Sequence, residues 1–180
     1  MPIIIKQDPL TNPRVLALLA EHTRHMASVI ADSTASARVL GVDGLRDASV
    51  TCYTAWWEDD DNDGNNGKEK EEDKDNSDGR RLVGIAALKE INTSTTHACE
   101  IKAMRTSTEF LRQGVGATLL GYVIEEPRRR GYAEVYAETG SSGEFAGARR
   151  LYEEFEFVEC GPYAGGGEGG FSVFMVLRVG

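Results

Sequence analysis

A turn with two glycines separated by one residue, followed by an apolar helix pattern, is the segment of the sequence best suited to bind a charged ligand. It reads Leu111-Arg112-Gln113-Gly114-Val115-Gly116-Ala117, and the helix pattern runs from Gly116 to about Arg130. Glycine lets the backbone approach an anion closely, and the unpaired amides and the dipole at a helix start favour negative charge. The turn therefore fits a diphosphate, although a tight strand-to-helix connection would use the same glycines.

Two common phosphate-binding patterns do not match this turn. A dinucleotide-binding fold requires G-x-G-x-x-G, and Leu119 occupies the position of the third glycine. A P-loop requires Gly-Lys followed by Ser or Thr after the first glycine and four further residues, and the chain lacks this arrangement. Neither class of nucleotide-binding protein explains the turn.

The elements around the turn follow the order strands, then strand-helix-strand-helix-strand. Asn12-Pro13 marks the start of an amphipathic helix with apolar residues at helical spacing up to Ile30, and Gly41 and Gly44 interrupt the pattern after it. Pro127 is expected to shorten or kink the helix that follows the turn. The order predicts an α/β or α+β fold with helices packed on a sheet. The predicted strands are 1–5, 48–57, 82–88, 98–105, 133–138, 157–159 and 171–177, and the later helices are 116–130 and 146–155.

An acidic segment, residues 58–80, separates two of the predicted strands. It holds eleven acidic and four basic residues, so its net charge of -7 leaves only -2 of the total of -9 for the remainder of the chain. The segment contains no aliphatic or aromatic side chain and cannot bury enough surface to offset its ordering entropy. We therefore predict one domain over residues 1–180, with 58–80 as a disordered insert in a strand-strand loop.

Composition and cysteine spacing exclude several other classes of protein. Cys52, Cys99 and Cys160 form no C-x-x-C pair, so neither a disulfide framework, a zinc site nor any other metal site is indicated, and a reducing, cytoplasmic setting fits best. No run approaches the roughly 18 apolar residues of a membrane span. The net negative charge argues against a nucleic-acid partner, because phosphate binding needs clustered Lys and Arg.

Two longer motifs surround the glycine turn. Residues Glu100–Thr106, followed by Glu109–Gly116, resemble the acetyl-CoA motif of the GNAT superfamily of N-acetyltransferases, and Ala148–Phe157 resembles its A-x-x-L-Y-x-x-x-G-F segment. The resemblance covers residues 81–180 well and the first 57 more loosely. It implies a mixed, mostly antiparallel sheet of about six or seven strands, splayed at an acetyl-CoA cleft, with helices on both faces.

The resemblance implies direct transfer of an acetyl group from acetyl-CoA to an amine of a small molecule or peptide. The backbone of Met104 and Thr106 would pair with the pantetheine arm, and amides of the turn would hold the diphosphate. Leu111 stands where the family usually has Arg or Gln, so Arg112 is expected to supply the charge. The residues expected to bind the cofactor are Met104, Arg105, Thr106, Leu111, Arg112, Gln113, Gly114, Val115, Gly116 and Ala117.

The resemblance also suggests catalytic roles. Tyr152 matches the family tyrosine that can protonate the departing thiolate, since a phenol with a pKa near 10 is a suitable donor. Glu100 is the first candidate for the base that removes the proton of the amine, and Glu138 is the second. His22 and His25, one turn apart on the first helix, are candidates for contact with the acceptor. Each of these residues could also be an ordinary packed, solvated or substrate-orienting side chain without a catalytic role.

Other features leave alternatives open. Glu156 replaces the family glycine before the last Phe of the second motif, which places the turn after that helix in question.

The expected partners are acetyl-CoA and an amine, and a homodimer is left open. The acceptor is open among polyamines, amino acids, drug-like amines and protein lysines. A non-catalytic acyl-CoA sensor, or an interaction module that uses the acidic segment, would be the alternative function.

Overall fold

The computed structural model describes residues 2–30, 38–58, 79–92, 97–163 and 170–180. Seven strands of this part form one sheet in the order β1-β2-β3-β4-β5-β7-β6. All neighbours are antiparallel except β4 and β5, so the predicted mixed and mostly antiparallel sheet is confirmed. The strands are β1 (Ile3–Gln7), β2 (Val50–Glu58), β3 (Arg80–Asn92), β4 (His97–Thr106), β5 (Glu134–Gly140), β6 (Val158–Cys160) and β7 (Ser172–Arg178).

In the part of the chain that the structure describes, four α-helices accompany the sheet, and three of them were predicted. The first begins as the sequence indicates, because the side chain of Asn12 accepts a hydrogen bond from the Arg14 amide and proline occupies the first turn. A single helical turn, capped by Gly41, was missed because glycines there suggested only an interruption. Pro127 does not shorten its helix, since it lies in the last turn before Gly131 ends the helix. The helices are α1 (Pro13–Val29), α2 (Val42–Leu45), α3 (Val115–Arg130) and α4 (Ala146–Glu154).

Helices cover both faces of the sheet, as the sequence predicts. On one face, α3 and α4 pack against β1 to β5 and β7, and the buried residues there include Val83, Leu119 and Val135. On the other face, α1 contributes Val15 and Leu19 to a second buried cluster with strand residues such as Ile85. Burying apolar side chains of both layers against one sheet holds the strands in place and fixes the end of the sheet where β4 and β5 meet.

The two parallel strands β4 and β5 separate after a short contact. They pair only where residues 98–101 lie beside residues 134–137. Beyond Ile101, β4 pairs with β3 alone, and a β-bulge shifts its register where Ala103 adopts a left-handed φ of 50°. Backbone groups of residues 102–106 that face away from β3 therefore meet no described strand, and a cleft opens between β4 and β5. The predicted splay is confirmed.

The acidic segment joins two neighbouring antiparallel strands, β2 and β3. Its predicted limits are too wide, because Glu58 ends β2 and Arg80 begins β3, and the two side chains form an ion pair of 2.6 Å. Residues 59–78 lie outside the described part of the chain. Their disorder stays a prediction.

The turn after α4 forms although it lacks the family glycine. Glu156 adopts a left-handed φ of 65°, and the amides of Glu156 and Phe157 donate to the carbonyls of Glu153 and Tyr152. This is the hydrogen-bond pattern of a Schellman motif, and the contact between the tilted rings of Tyr152 and Phe157 supplies its hydrophobic contact. The turn therefore fixes Tyr152 at the expense of an unfavourable backbone conformation at Glu156.

Glu156→Gly is expected to raise the free energy of unfolding by about 1 kcal/mol, because glycine adopts the left-handed conformation without steric cost. Urea denaturation followed by circular dichroism measures this change. Glu154→Gly, two residues earlier in the helical part of α4, is the matched control and should lower the free energy of unfolding by about 1 kcal/mol. Equal effects of the two substitutions would contradict the strain assigned to Glu156.

Candidate active site

Two cavities meet at the cleft between β4 and β5. The turn cavity, of about 560 Å³, lies between the end of β4, residues 110–117 and α4. The α1 cavity, of about 140 Å³, lies between α1, β4, β5 and the start of β7. Met104, Ala148 and Tyr152 line both cavities. A ligand in one cavity can therefore contact a ligand in the other at these three residues.

The turn cavity contains nearly all the residues predicted to bind the cofactor. Gly114 caps α3 with a left-handed φ of 81°, which lets the chain turn directly into the helix. Gln113 does not line the cavity, because its side-chain amide donates to the Glu109 carbonyl at 3.0 Å instead. The predicted residues that do line it are Met104, Arg105, Thr106, Leu111, Arg112, Gly114, Val115, Gly116 and Ala117.

Positive charge surrounds the turn cavity. Exposed Arg112 lies on one side with a left-handed φ of 60°, and exposed Arg150 of α4 also lines the cavity. Arg105 lines it too, and its guanidinium pairs with Glu21 of α1. Together with the free amides at the start of α3, these cations favour an anionic ligand. Arg150 was not predicted, although it lies inside the second sequence motif.

Tyr152 lies where the two cavities meet. Its hydroxyl is 4.0 Å from the sulfur of Met104, and its ring centre is 5.2 Å from that of Phe157. Burial raises the pKa of Tyr152 far above its usual value, and the charge of Glu100 adds to the effect. The phenol therefore keeps its proton at neutral pH and can donate it to a group that becomes negative at the cleft.

The α1 cavity has apolar walls with charged groups at one side. The charged side chains are Arg38, Lys102 and Glu138. The cavity also contacts the half-buried His22 of α1. Such a lining suits a small ligand that presents both an apolar part and a polar part. The apolar side chains around it include Met26, Ile30, Leu40, Phe145 and Phe171.

The structure separates the two candidate histidines. His22 lines the α1 cavity, and burial lowers its pKa to about 4, with the charges of Arg105 and His25 acting in the same direction. His22 is therefore neutral at neutral pH. His25 is exposed and lies outside the described lining of the cavity, so its contact with the acceptor stays a prediction that this arrangement does not support. A step of three residues is slightly less than one helical turn, so the side chain of His25 leaves α1 at about 60° from that of His22.

Glu138 is tightly bound by its neighbours. The Nε of Arg38 donates to both carboxylate oxygens at 2.9 and 2.8 Å, and the Ser172 hydroxyl donates to Oε1 at 2.6 Å. Burial alone would raise the pKa of Glu138, but the hydrogen bonds from Arg38 and Ser172 outweigh it and bring the pKa below its usual value. Both oxygens are thus occupied, which makes Glu138 a weak proton acceptor.

The side chain of Glu100 is less exposed to solvent than that of Glu138. Its Oε1 accepts a hydrogen bond from the Tyr163 hydroxyl at 2.9 Å and pairs with the Lys102 ammonium at 2.6 Å. None of the described hydrogen bonds or ion pairs uses Oε2. Glu100 does not line either cavity itself and lies behind Lys102, which lines the α1 cavity. A ligand in either cavity therefore meets Lys102 or Tyr152 and not Glu100 itself among the described lining residues.

Tyr163 was not predicted from the sequence. Its ring packs at 4.3 Å from that of Tyr136 and at 5.5 Å from that of Phe174, which places its hydroxyl against Glu100. Burial and the charge of Glu100 raise the pKa of Tyr163, so its hydroxyl stays protonated and donates. The residue follows the β6 edge strand, and no spacing in the sequence links it to Glu100.

Signals for some of the other missed residues are present in the sequence. Lys102 lies two residues after Glu100 on one strand, so both side chains point to the same face. Gly140 precedes Phe145, and a Cβ at Gly140 would lie 2.3 Å from the Phe145 ring, so the ring can reach the cavity only over a glycine. Arg38 and Ser172 belong to separate segments with no local pattern of this kind.

The described residues form neither a metal-binding cluster nor a membrane-spanning helix. Within residues 2–30, 38–58, 79–92, 97–163 and 170–180, no group of three or more His, Cys, Asp or Glu side chains is placed to hold a metal ion. In the same ranges no helix is long and apolar enough to span a bilayer.

Comparisons with known proteins agree with this geometry. The family model described as Acetyltransferase (GNAT) family matches residues 42–157. A protein of Bacillus subtilis (strain 168), named as an uncharacterized N-acetyltransferase, YsnE, is 38% identical over 175 residues, which cover 97% of this chain and 99% of that protein. The match thus extends over both cavities and all seven strands.

Solved structures share the fold at lower sequence identity. An acetyltransferase of Bacillus subtilis in complex with CoA has a TM-score of 0.61 and 16% identity, over 98% of this chain and 99% of that one. A GNAT family acetyltransferase of Elizabethkingia anophelis with acetyl-CoA bound has a TM-score of 0.57 and 17% identity, over 98% and 97%. With the family match and the close relative, the conclusion is plain: the chain belongs to the GNAT family of acetyltransferases.

Proposed function

We propose that the protein transfers an acetyl group from acetyl-CoA to the amine nitrogen of a small molecule or peptide. The observation that carries this proposal is the meeting of the two cavities at Met104 and Tyr152. One cavity offers helix-start amides and cations for a diphosphate, and the other offers a small enclosed space for an acceptor. The CoA and acetyl-CoA complexes of the structural relatives support the choice of donor.

The donor would lie along the turn cavity. Its diphosphate would contact the amides at the start of α3, with Arg112 and Arg150 balancing the charge. Its pantetheine arm would follow residues 102–106 of β4, where backbone groups meet no described strand. This path places the thioester beside Tyr152, at the junction with the α1 cavity.

The chemistry is a direct displacement at the thioester carbonyl. The lone pair of the amine attacks the carbonyl carbon, a C–N bond forms, and the C–S bond breaks with its electron pair moving to sulfur. Tyr152 donates its proton to the departing thiolate, which completes free CoA, and the proton that the amine loses to the base returns to the phenolate through solvent, so the protein ends unchanged. The amine loses one proton in the same sequence, so a base is required on the acceptor side. No covalent intermediate with the protein is needed.

Glu100 is the base that the arrangement favours. Both oxygens of Glu138 are occupied by Arg38 and Ser172, whereas Oε2 of Glu100 has no described donor. Because Glu100 lies behind Lys102, we propose that a water molecule carries the proton from the amine to its carboxylate. His22 is assigned to contact with the acceptor.

Binding of acetyl-CoA tests the donor site directly. We expect calorimetry to show binding to the unmodified protein and about tenfold weaker binding to Gly114→Ala, because a side chain disfavours the left-handed φ and crowds the amides. A Cβ at Gly114 meets no described atom within 4 Å, so the substitution causes no clash within the described fold.

Gly143→Ala is the matched control for the donor site. A Cβ there also meets no described atom within 4 Å, its φ is not left-handed, and Gly143 lines neither cavity. Its affinity for acetyl-CoA should equal that of the unmodified protein. Unchanged affinity in Gly114→Ala would remove the turn from the donor site, and no binding by the unmodified protein would refute the proposed function.

A further inference from the structure

We infer that the acceptor is a small amine that also carries a carboxylate and one apolar group, as an α-amino acid with an aromatic or branched side chain does. The inference rests on the proposed function and names the substrate class of the α1 cavity. It depends on three features of that cavity: the sign of its charges, the occupancy of its carboxylates, and its size and lining.

Among the described residues that line the α1 cavity, cations outnumber anions. Arg38 and Lys102 line it, whereas Glu138 is the one carboxylate among its described lining residues. The chain as a whole carries a net charge of -9, so this local excess runs opposite to its composition. One proton of the Lys102 ammonium is directed to Glu100, and an ammonium has three protons to donate. A substrate carboxylate can therefore pair with Lys102.

The carboxylates of Glu138 and Glu100 are not available to pair with a second ammonium group of a substrate. Glu138 uses both oxygens for Arg38 and Ser172, and Glu100 lies behind Lys102 with its Oε1 occupied. A polyamine that entered to react at one nitrogen would bring another positive charge toward Arg38 and Lys102. The repulsion between like charges is several-fold stronger in a partly buried site than in water. Polyamines are the acceptor class that this arrangement disfavours most.

The α1 cavity as a whole has room for about one small apolar group. The cavity of about 140 Å³ has walls from Met26 and Ile30 of α1 and from Phe145 and Phe171. An engineered apolar cavity of about 150 Å³ holds a benzene molecule, which is the size of a phenylalanine side chain. With the amine at the thioester and the carboxylate at Lys102, the third substituent of an α-amino acid can occupy this apolar part.

The decisive comparison is between phenylalanine and phenylalaninamide, with spermidine as a polycation. The amide has nearly the same shape and a more acidic ammonium, so without recognition of the carboxylate it should react at least as well. We expect kcat/KM for phenylalanine to exceed that for the amide by about tenfold, as for one charged hydrogen bond. Spermidine should be the poorest of the three.

The Lys102→Gln variant tests whether Lys102 causes the preference for phenylalanine over phenylalaninamide. Gln keeps a hydrogen-bond donor for Glu100 and removes the positive charge, so kcat/KM for the acid and the amide should become equal within about twofold. Lys89→Gln on β3 is the control, because it removes a lysine that lines neither cavity, and it should keep the tenfold preference. A preference that survives in Lys102→Gln would overturn the role of Lys102.

Assays of the unmodified protein with the three amines test the proposed substrate class without any variant. Equal or faster reaction of the amide or spermidine would overturn the inference, as would failure of all three while an unrelated amine releases CoA thiol. Those results would leave the proposed function standing. Absence of thiol release with every amine of a broad panel would instead contradict the proposed function itself.

Discussion

Tyr152→Phe is expected to lower kcat by about 100-fold while changing the KM for acetyl-CoA by less than about threefold. The phenol is the proton donor placed where both cavities meet, and a positioned acid contributes about 100-fold or more. Its raised pKa keeps the proton on the oxygen through neutral and moderately alkaline pH, so Tyr152 itself should cause no loss of activity there. Steady-state kinetics with acetyl-CoA and a reactive amine measures both constants.

The same substitution should leave the fold intact. The only described hydrogen-bond partner of the Tyr152 hydroxyl is the Met104 sulfur at 4.0 Å, which is a weak contact. Tyr122→Phe, which removes the hydroxyl of an exposed tyrosine on α3, is the control and should keep full turnover. Turnover of Tyr152→Phe equal to that of Tyr122→Phe would exclude Tyr152 as the proton donor.

Glu100→Gln should also lower kcat by about 100-fold, because Gln keeps the size of the side chain but cannot take the proton of the amine. Steady-state kinetics with acetyl-CoA and a reactive amine, with a melting curve to check the fold, measures this change.

Two related variants make the assignment of the base specific. Glu125→Gln on the exposed side of α3 should have unchanged turnover. Glu138→Gln should act mainly on the KM for the acceptor, because it loosens Arg38 and Ser172 beside the α1 cavity. If Glu138→Gln loses turnover about 100-fold and Glu100→Gln keeps it, the base is Glu138 and the water-mediated path to Glu100 is wrong.

The parts of the site that local sequence could predict are those built from neighbouring residues. Gly114 and Gly116 belong to the strand-to-helix turn, and Tyr152 lies two residues before the end of α4, so spacing alone placed them correctly on their elements. Seven strands also follow from the residue patterns, whereas the helices on both faces were implied by the family resemblance of the two motifs. Element type and order are local properties, which is why they were accessible.

The acceptor side depends on pairs that are distant in sequence. Arg38 and Glu138 are 100 residues apart, and Tyr163 and Glu100 are 63 residues apart. Such contacts arise from the order of strands in the sheet and from the loops that cross its end, and neither leaves a periodic signal. The contrast between an occupied Glu138 and a more available Glu100 therefore appeared only in three dimensions. The same applies to the separation of His22 from His25.

Two departures from the family pattern have physical explanations. Glu156 replaces a glycine and adopts the left-handed conformation all the same, stabilised by the paired hydrogen bonds and by the contact of Tyr152 with Phe157. Leu111 replaces a polar residue at the turn and is 54% exposed. Positive charge at that cavity comes instead from Arg112 and Arg150. Function can therefore be kept although two motif positions have changed.

The measurement that tests the central claim most directly follows both products of one reaction. The purified protein is mixed with acetyl-CoA and a panel of primary amines, and free CoA thiol and acetylated amine are quantified together by mass spectrometry. We expect the two products to appear in equal amounts with at least one amine, and no acetyl group to remain on the protein. Thiol release without an acetylated amine, an acetyl-protein intermediate, or no reaction with any amine would contradict direct transfer in this cleft.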